Sequence, residues 1–386
     1  MKNAFPTILF IYPGQAREAR LTEIESGAAP RDFFYGYPHI RDAGFNVAIG
    51  NSRKDPDSLH GLALLGYERL RNRAINFGLA SSRVMALADE ISAHDIALSF
   101  NDFFSLSMGL YHHRIRGRIQ GRTRLLGGFH GLSDLVDRVP PMLRGYARAR
   151  ILHAVRGLDH LFFSGEVDRE VAIEMYGIPR DKTTYYPFGV DIDFWHPAPE
   201  QSPPDAGVLS VGSDPSRDFD TLIQAAIPNP TRIITRLNVT APADKPNIEI
   251  VRGSLFGSNI TDKMLRDLYQ QARCVVVPLK NVWQPTGCSV TLQAMACGKP
   301  VVVSEIKGLW DPDLMKSGDN CILVPPGDPQ ALNEAVFALE HDPQLRRRLG
   351  QAARRTVEKH FSIARMNTAL EAMIRQQANT FSHFNI

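Results

Sequence analysis

Residues 272–304 read ARCVVVPLKNVWQPTGCSVTLQAMACGKPVVVS. Two short β-branched runs, Cys274–Pro278 (CVVVP) and Pro300–Ser304 (PVVVS), bracket this stretch. Such runs form strands that are covered on both faces. Between them, Gln284-Pro285-Thr286-Gly287 carries loop chemistry, and Ser289–Cys297 (SVTLQAMAC) is a helix that stops at Gly298. Strand, loop, helix and strand make a βαβ unit of a parallel sheet. The loop and the helix start then lie at the carboxyl edge of that sheet, where ligands bind. Free N–H groups at Gly287, Cys288 and Ser289, together with the positive end of the helix dipole, suit a phosphate or diphosphate.

The chain has 386 residues, enough for two domains of ordinary size, and its 44% apolar content can fill two cores. A net charge of +3 is too mild to imply nucleic acid as a partner. The four cysteines, Cys274, Cys288, Cys297 and Cys321, form no C-x-x-C pair and have no histidine at metal spacing, so buried reduced thiols are expected and no metal site. Phe5–Tyr12 is too short for a signal peptide, and no apolar run reaches membrane-spanning length. The expected location is cytoplasmic.

Working back to the start, Thr7–Tyr12 reads as a buried strand, Gln15–Arg31 as a long loop and Asp32–Ala43 as a helix, with a strand at Phe45–Ile49. This order opens a doubly wound α/β domain. Its loop after the first strand makes Arg17, Arg20 and Arg31 candidates for acceptor or phosphate contact, although exposed arginines are ordinarily only solvated. Helices over Leu62–Phe77, Ser81–Ser92 and Asp102–Tyr111 surround a strand at Asp95–Ser99. Ten arginines against two acids lie between Tyr111 and Gly157. A solvated helical face is the ordinary reading of that imbalance. An anionic membrane surface, peripheral at its cytoplasmic side, is the sharper one. Inside this region Arg124–Phe129 is a strand that closes on His130, with Gly127, Gly128 and Gly131 able to admit a ligand.

Gln293–Ser304 (QAMACGKPVVVS) resembles the donor-site signature of glycosyltransferase family 4, the retaining GT-B enzymes that use nucleotide-sugars. Leu158–Pro197 (LDHLFFSGEVDREVAIEMYGIPRDKTTYYPFGVDIDFWHP) resembles the same family's strand, Ser-led helix, YGIP turn and Gly-Val-Asp loop. Ser210–Ala226 (SVGSDPSRDFDTLIQAA) is similar to its phosphate loop. The resemblance departs in detail. The family's two donor-site glutamates read as Gln284 and Gln293 here, and the interval from Gly287 to Gln293 is one residue longer. A basic residue common in the phosphate loop is Ser213, and Arg217 stands where lysine is usual.

The resemblance implies a GT-B fold: two Rossmann-like doubly wound α/β domains facing a central cleft. Residues 1–196 would form an N-terminal acceptor domain, with the last helix (362–386) packing back on it. Residues 197–206 would be a Pro-rich linker, and 207–361 the nucleotide-sugar domain. In this reading the donor is held by Gly212, Ser213, Arg217, Gln284, Thr286, Gly287, Cys288, Ser289 and Gln293. Gln293 meets the ribose, Gln284 the sugar hydroxyls and Arg217 the diphosphate. His130 orients the sugar, and Gly189 and Asp191 join the arginines on the acceptor side. A structural role for His130 at its strand end, a surface role for Arg217 and a tight turn at Gly189 remain open beside these.

The implied reaction moves a sugar from a nucleotide-diphosphate-sugar to a hydroxyl of a glycan, polysaccharide or lipid-linked acceptor, with no metal or other cofactor. No hydrolase-like pair of carboxylates occurs at any motif. Two rivals stand against the transferase. A GT-B nucleotide-sugar epimerase would need ionisable acid and base groups. A degenerate GT-B subunit would bind nucleotide without turnover, and the two glutamines motivate it.

Overall fold

A computed structural model describes residues 5–12, 17–50, 58–75, 78–116, 123–199, 207–253 and 260–382. Twelve strands are present among them: β1 (Thr7–Ile11), β2 (Asn46–Gly50), β3 (Ile96–Ser99), β4 (Arg124–Phe129), β5 (His160–Phe163), β6 (Thr183–Tyr185), β7 (Val208–Val211), β8 (Thr231–Thr235), β9 (Ile248–Arg252), β10 (Cys274–Val277), β11 (Val301–Ser304) and β12 (Ile322–Val324). They form two parallel six-stranded sheets, ordered β2-β1-β3-β4-β5-β6 and β12-β11-β10-β7-β8-β9, with helices flanking each.

The β10–helix–β11 unit is built as the valine runs require. Val275, Val276 and Val277 register with Val301, Val302 and Val303, and all six are buried. Flat β-branched side chains on adjacent parallel strands pack both faces, which is why the runs do not alternate with polar residues. In this second sheet the strand order reverses between β7 and β10. That reversal is a topological switch point, and the loops that leave β7 and β10 part there.

The chain forms two compact units. Unit 1 comprises Met1–Ala19, Phe34–Pro187 and Asn367–Ile386; unit 2 comprises Arg20–Phe33 and Phe188–Met366. Residues 200–206, most of the expected linker, lie outside the described residues, and the division falls earlier, at Pro187–Phe188. The reason is packing. Trp195 is wholly buried beside Tyr269, with ring centroids 5.9 Å apart, and Arg354 Nη1 donates to the Trp195 carbonyl at 2.7 Å. In unit 1 the last helix, Ile363–Ser382, packs through Leu370 on Gly36, and its Glu371 meets His39 at 2.8 Å.

Two local expectations are corrected. The segment read as a loop from Gln15 contains a helix, Arg17–Glu25, whose sequence REARLTEIE is rich in helix formers and carries an Arg20–Glu23 pair one turn apart. The helix expected over Asp32–Ala43 is a 3-10 turn, Asp32–Phe34, and a separate helix, Tyr37–Asp42. They are split by the left-handed Tyr35 and Gly36.

Candidate functional site

At the switch point of unit 2 the two loops are stitched together. Arg217 and Leu279 form an antiparallel bridge, the Asp218 N–H donates to the Pro278 carbonyl at 3.0 Å, and the Lys280 N–H to the Ser216 carbonyl at 2.9 Å. Asp218 also caps the helix Phe219–Gln224 by accepting from the Thr221 N–H, so the backbone on both sides of Arg217 is fixed.

This framework presses the Arg217 side chain inward. A Cβ on Gly212 would overlap Arg217 Nε, and one on Gly287 would sit 2.9 Å from Nη1. Both positions therefore need glycine for space, and Gly287 also needs it for its φ of +80°. Arg217 is 6% exposed, and neither Nε nor Nη1 has a hydrogen-bond partner among the described residues. Burial lowers its pKa to about 10, against the pull of the nearby Asp214 carboxylate. The guanidinium is still charged at neutral pH. A buried cation with idle donors is costly unless something anionic meets it.

Gly287 is also the N-cap of the helix Cys288–Ala296, and no side chain caps that helix start. Its first N–H groups and its positive dipole end thus share one place with the Arg217 guanidinium. Thr286 adds a buried hydroxyl that has no partner among the described residues. Gln284, half-buried, approaches Asp214 with its amide at 3.4 Å, and Ser213 accepts from the Arg236 N–H at 3.0 Å. Cys288 is buried and Ser289 half-buried. Gly212, Arg217, Thr286, Gly287 and the helix start are the candidates that the structure brings together.

Gln293 stands apart. It is fully buried, its Nε2 donates to Asp32 Oδ2 at 3.1 Å, and its Oε1 has no partner among the described residues. The same carboxylate accepts from Trp195 Nε1 at 2.7 Å and, through Oδ1, from the Asp191 N–H at 2.6 Å. Burial raises the Asp32 pKa to about 7 against these three hydrogen bonds.

Four acceptor-side candidates also have partners within unit 2. Arg20 pairs with Asp262. Arg31 holds Asp191 through Nε and Nη2, each at 2.7 Å. Burial works against the Asp191 carboxylate, yet Arg31 keeps its pKa below the ordinary value. The bare α-carbon of Gly189 admits Met366, whose Sδ accepts the Gly189 N–H at 3.3 Å. The side chain of Arg17 lies outside the described residues.

In unit 1, His130 follows β4. Its N–H donates to Asp102 Oδ1 at 3.0 Å, and its Nδ1 is 2.8 Å from Ser164 Oγ. Its Nε2 is buried and has no partner among the described residues. The neighbouring glycines serve packing: Leu158 and Ser105 fill the space over Gly127, and the Phe162 ring that over Gly128. In the arginine-rich stretch, Arg116 and Arg124 pair with Asp159, Arg144 with Asp137, and Arg148 donates to the Met175 carbonyl; Arg118 and Arg122 lie outside the described residues.

Sequence reasoning gave no role to Asp214 or Asp32. Asp214 sits inside the loop already singled out, and an acid beside a lone arginine is a signal for it. Asp32 offers no such signal, because its partner Gln293 is 261 residues away.

Residues 249–356 match the family model described as glycosyl transferases group 1. A D-inositol 3-phosphate glycosyltransferase of Streptomyces bingchenggensis is 35% identical over 104 residues, 27% of this chain and 22% of the relative. One of the same description from Thermobispora bispora is 26% identical over 234 residues, 54% of this chain and 53% of the relative. The chain thus spans about half, or less, of the length of these curated relatives. Among solved structures, sucrose-phosphate synthase of Thermosynechococcus elongatus superposes with a TM-score of 0.67 at 17% identity, covering 97% of this chain and 100% of that one. HepE of Anabaena in complex with UDP and glucose superposes at 0.64 and 16%, covering 96% and 99%. These likenesses establish the fold as GT-B, two Rossmann-like domains.

Proposed function

We propose that this chain is a glycosyltransferase that moves a sugar from a nucleotide-diphosphate-sugar to a hydroxyl of a glycan, polysaccharide or lipid-linked acceptor, with retention of configuration and without a metal. The observation that carries the reading is the buried Arg217 guanidinium, whose Nε and Nη1 have no partner among the described residues, at the start of the helix Cys288–Ala296, which no side chain caps. Negative charge grows on the diphosphate as the glycosidic bond breaks. A fixed cation and fixed N–H donors lower that barrier because they need no reorganisation. The match to the group 1 family model over 249–356 supports the same reading.

In the proposed arrangement Arg217 and the N–H groups of Gly287, Cys288 and Ser289 hold the diphosphate. Gly212 and Ser213 flank it, Gln284 and Thr286 reach sugar hydroxyls, and His130 supplies a further sugar contact through Nε2. Retention rests on the family resemblance. The ribose role of Gln293 would require its Oε1, since its Nε2 is engaged by Asp32.

A second reading, a nucleotide-binding subunit without turnover, is favoured by one observation: the position expected to carry an acidic ribose ligand holds a fully buried glutamine. The test is a thermal-shift screen with nucleoside diphosphates and their sugar conjugates, UDP-glucose first, followed by assay of free nucleoside diphosphate with and without glycan acceptors. Ligand at about 100 times its Kd adds about 2.7 kcal/mol of stability. A shift with release of nucleoside diphosphate supports the transferase. A shift without release on any acceptor supports the second reading, and no shift with any nucleotide contradicts both.

A further inference from the structure

The helix Leu59–Ile75 of unit 1 presents large apolar side chains on its outer surface. Two polar residues, Glu68 and Asn72, face the protein. Glu68, 3% exposed, accepts from the Ser81 N–H at 2.6 Å and the Ser82 N–H at 3.0 Å. Asn72 donates to the Leu79 carbonyl at 3.0 Å and accepts the Leu79 N–H at 3.2 Å. Leu65 is buried with them, but four large apolar residues face outward: Leu59 is 88% exposed, Leu62 48%, Tyr67 60% and Leu70 73%. On a turn of 3.6 residues these four share one arc of about 140°, with Arg69 at its edge and Arg73 within it. Arg69 and Arg73 are exposed, and Arg71 lies over the Tyr67 ring at 6.0 Å.

Single exposed leucines are ordinary, but four large apolar side chains on one outward stripe mark a surface that something covers. Charge says what. The one acid of this helix, Glu68, is turned inward, so among its described residues the charged side chains on the outer face are arginines. A second copy of the same face would set arginine against arginine. A bilayer with anionic headgroups accepts both parts, the leucines and tyrosine at the acyl boundary and the guanidinium groups at the phosphates. We propose that the helix Leu59–Ile75 lies in the plane of an anionic lipid surface and docks the protein there. Among the described residues no helix is long and apolar enough to cross a membrane, so the attachment is interfacial and reversible. This inference is independent of the reaction proposed above.

The test is co-sedimentation of the full chain with vesicles of phosphatidylcholine alone and of phosphatidylcholine with phosphatidylglycerol, at low and high salt. Binding is expected only with phosphatidylglycerol and should fall as salt rises. Leu62→Ser with Leu70→Ser, and separately Arg69→Gln with Arg73→Gln, should each reduce binding to the neutral-vesicle level. Because these side chains are exposed, both variants should keep the parent melting temperature. Absence of binding to anionic vesicles overturns the proposal, as does binding that either pair of substitutions leaves intact. Light scattering gives the remaining outcome: a dimer that the leucine pair dissociates, without lipid binding, would assign this face to self-association instead.

Discussion

Gln293 donates its side-chain amide to the carboxylate of Asp32 at 3.1 Å, inside a site where both residues are fully buried. A glutamate at 293 would bring a second carboxylate against the first with no water to screen them. A glutamine brings a donor instead. The departure from the family's acidic residue is thereby explained by a neighbour far away in sequence. Gln293→Glu should cost about 3 kcal/mol or more at pH 8, in the range of a buried unpaired charge. Asp32→Asn in the same chain should recover part of the loss. Urea unfolding of the two single variants and the double variant measures the coupling, expected at about 1–3 kcal/mol. Strict additivity would mean that the two side chains do not answer to each other.

The same carboxylate predicts a pH dependence. Burial raises Asp32 from 3.8 to about 7, so the folded state holds a proton that the unfolded chain releases near pH 4. Its contribution to stability is therefore fully present below about 3.8 and is lost as pH rises through about 7. Asp32→Asn should flatten the fall in melting temperature between pH 5 and pH 8. A variant whose profile stays parallel to that of the parent would remove Asp32 as the cause.

Gly287 tests the geometry around the guanidinium. An alanine there must adopt a φ of +80° and place its Cβ 2.9 Å from Arg217 Nη1 and 3.0 Å from Val277 Cγ1. Gly287→Ala should cost about 1–3 kcal/mol of stability from backbone strain and displace Arg217 as well. Calorimetry should show a lower melting temperature together with weaker nucleoside diphosphate binding. Strain without a change in affinity would separate Gly287 from the ligand.

The proposed role of His130 is contact with the sugar and not with the nucleotide. Its Nδ1 is engaged by Ser164, which leaves Nε2 as the free position. His130→Ala should lower turnover by about 5- to 150-fold, the equivalent of one hydrogen bond of about 1–3 kcal/mol. The Kd for nucleoside diphosphate should be unchanged. Equal losses in both would show that His130 acts through the fold.

Much of the architecture could be read from residue pattern alone, for identifiable reasons. The runs CVVVP and PVVVS are too short and too β-branched for helices, and they form adjacent buried strands. The loop at Ser213–Arg217 was recognisable because it follows a strand that ends in glycine. What remained hidden depended on partners distant in sequence. Nothing near Asp32 announces that it belongs with Gln293 and Trp195, and the pairing of Arg31 with Asp191 spans 160 residues. Helix-forming residues in Arg17–Glu25 were outweighed in the reading by Gly27 and Pro30 beyond them.

Arg217→Gln, followed by calorimetric titration with the nucleoside diphosphate found by screening, tests the central claim most directly. The buried guanidinium has two donor nitrogens without partners among the described residues, so it weakens the unliganded protein, and in the proposed function it meets the diphosphate. The variant should melt at the same temperature as the parent or higher when unliganded. It should bind the nucleotide about 10- to 100-fold more weakly, as expected for hydrogen bonds to a charged group. A variant that melts lower and binds the nucleotide as tightly as the parent would make Arg217 a structural residue and contradict the account.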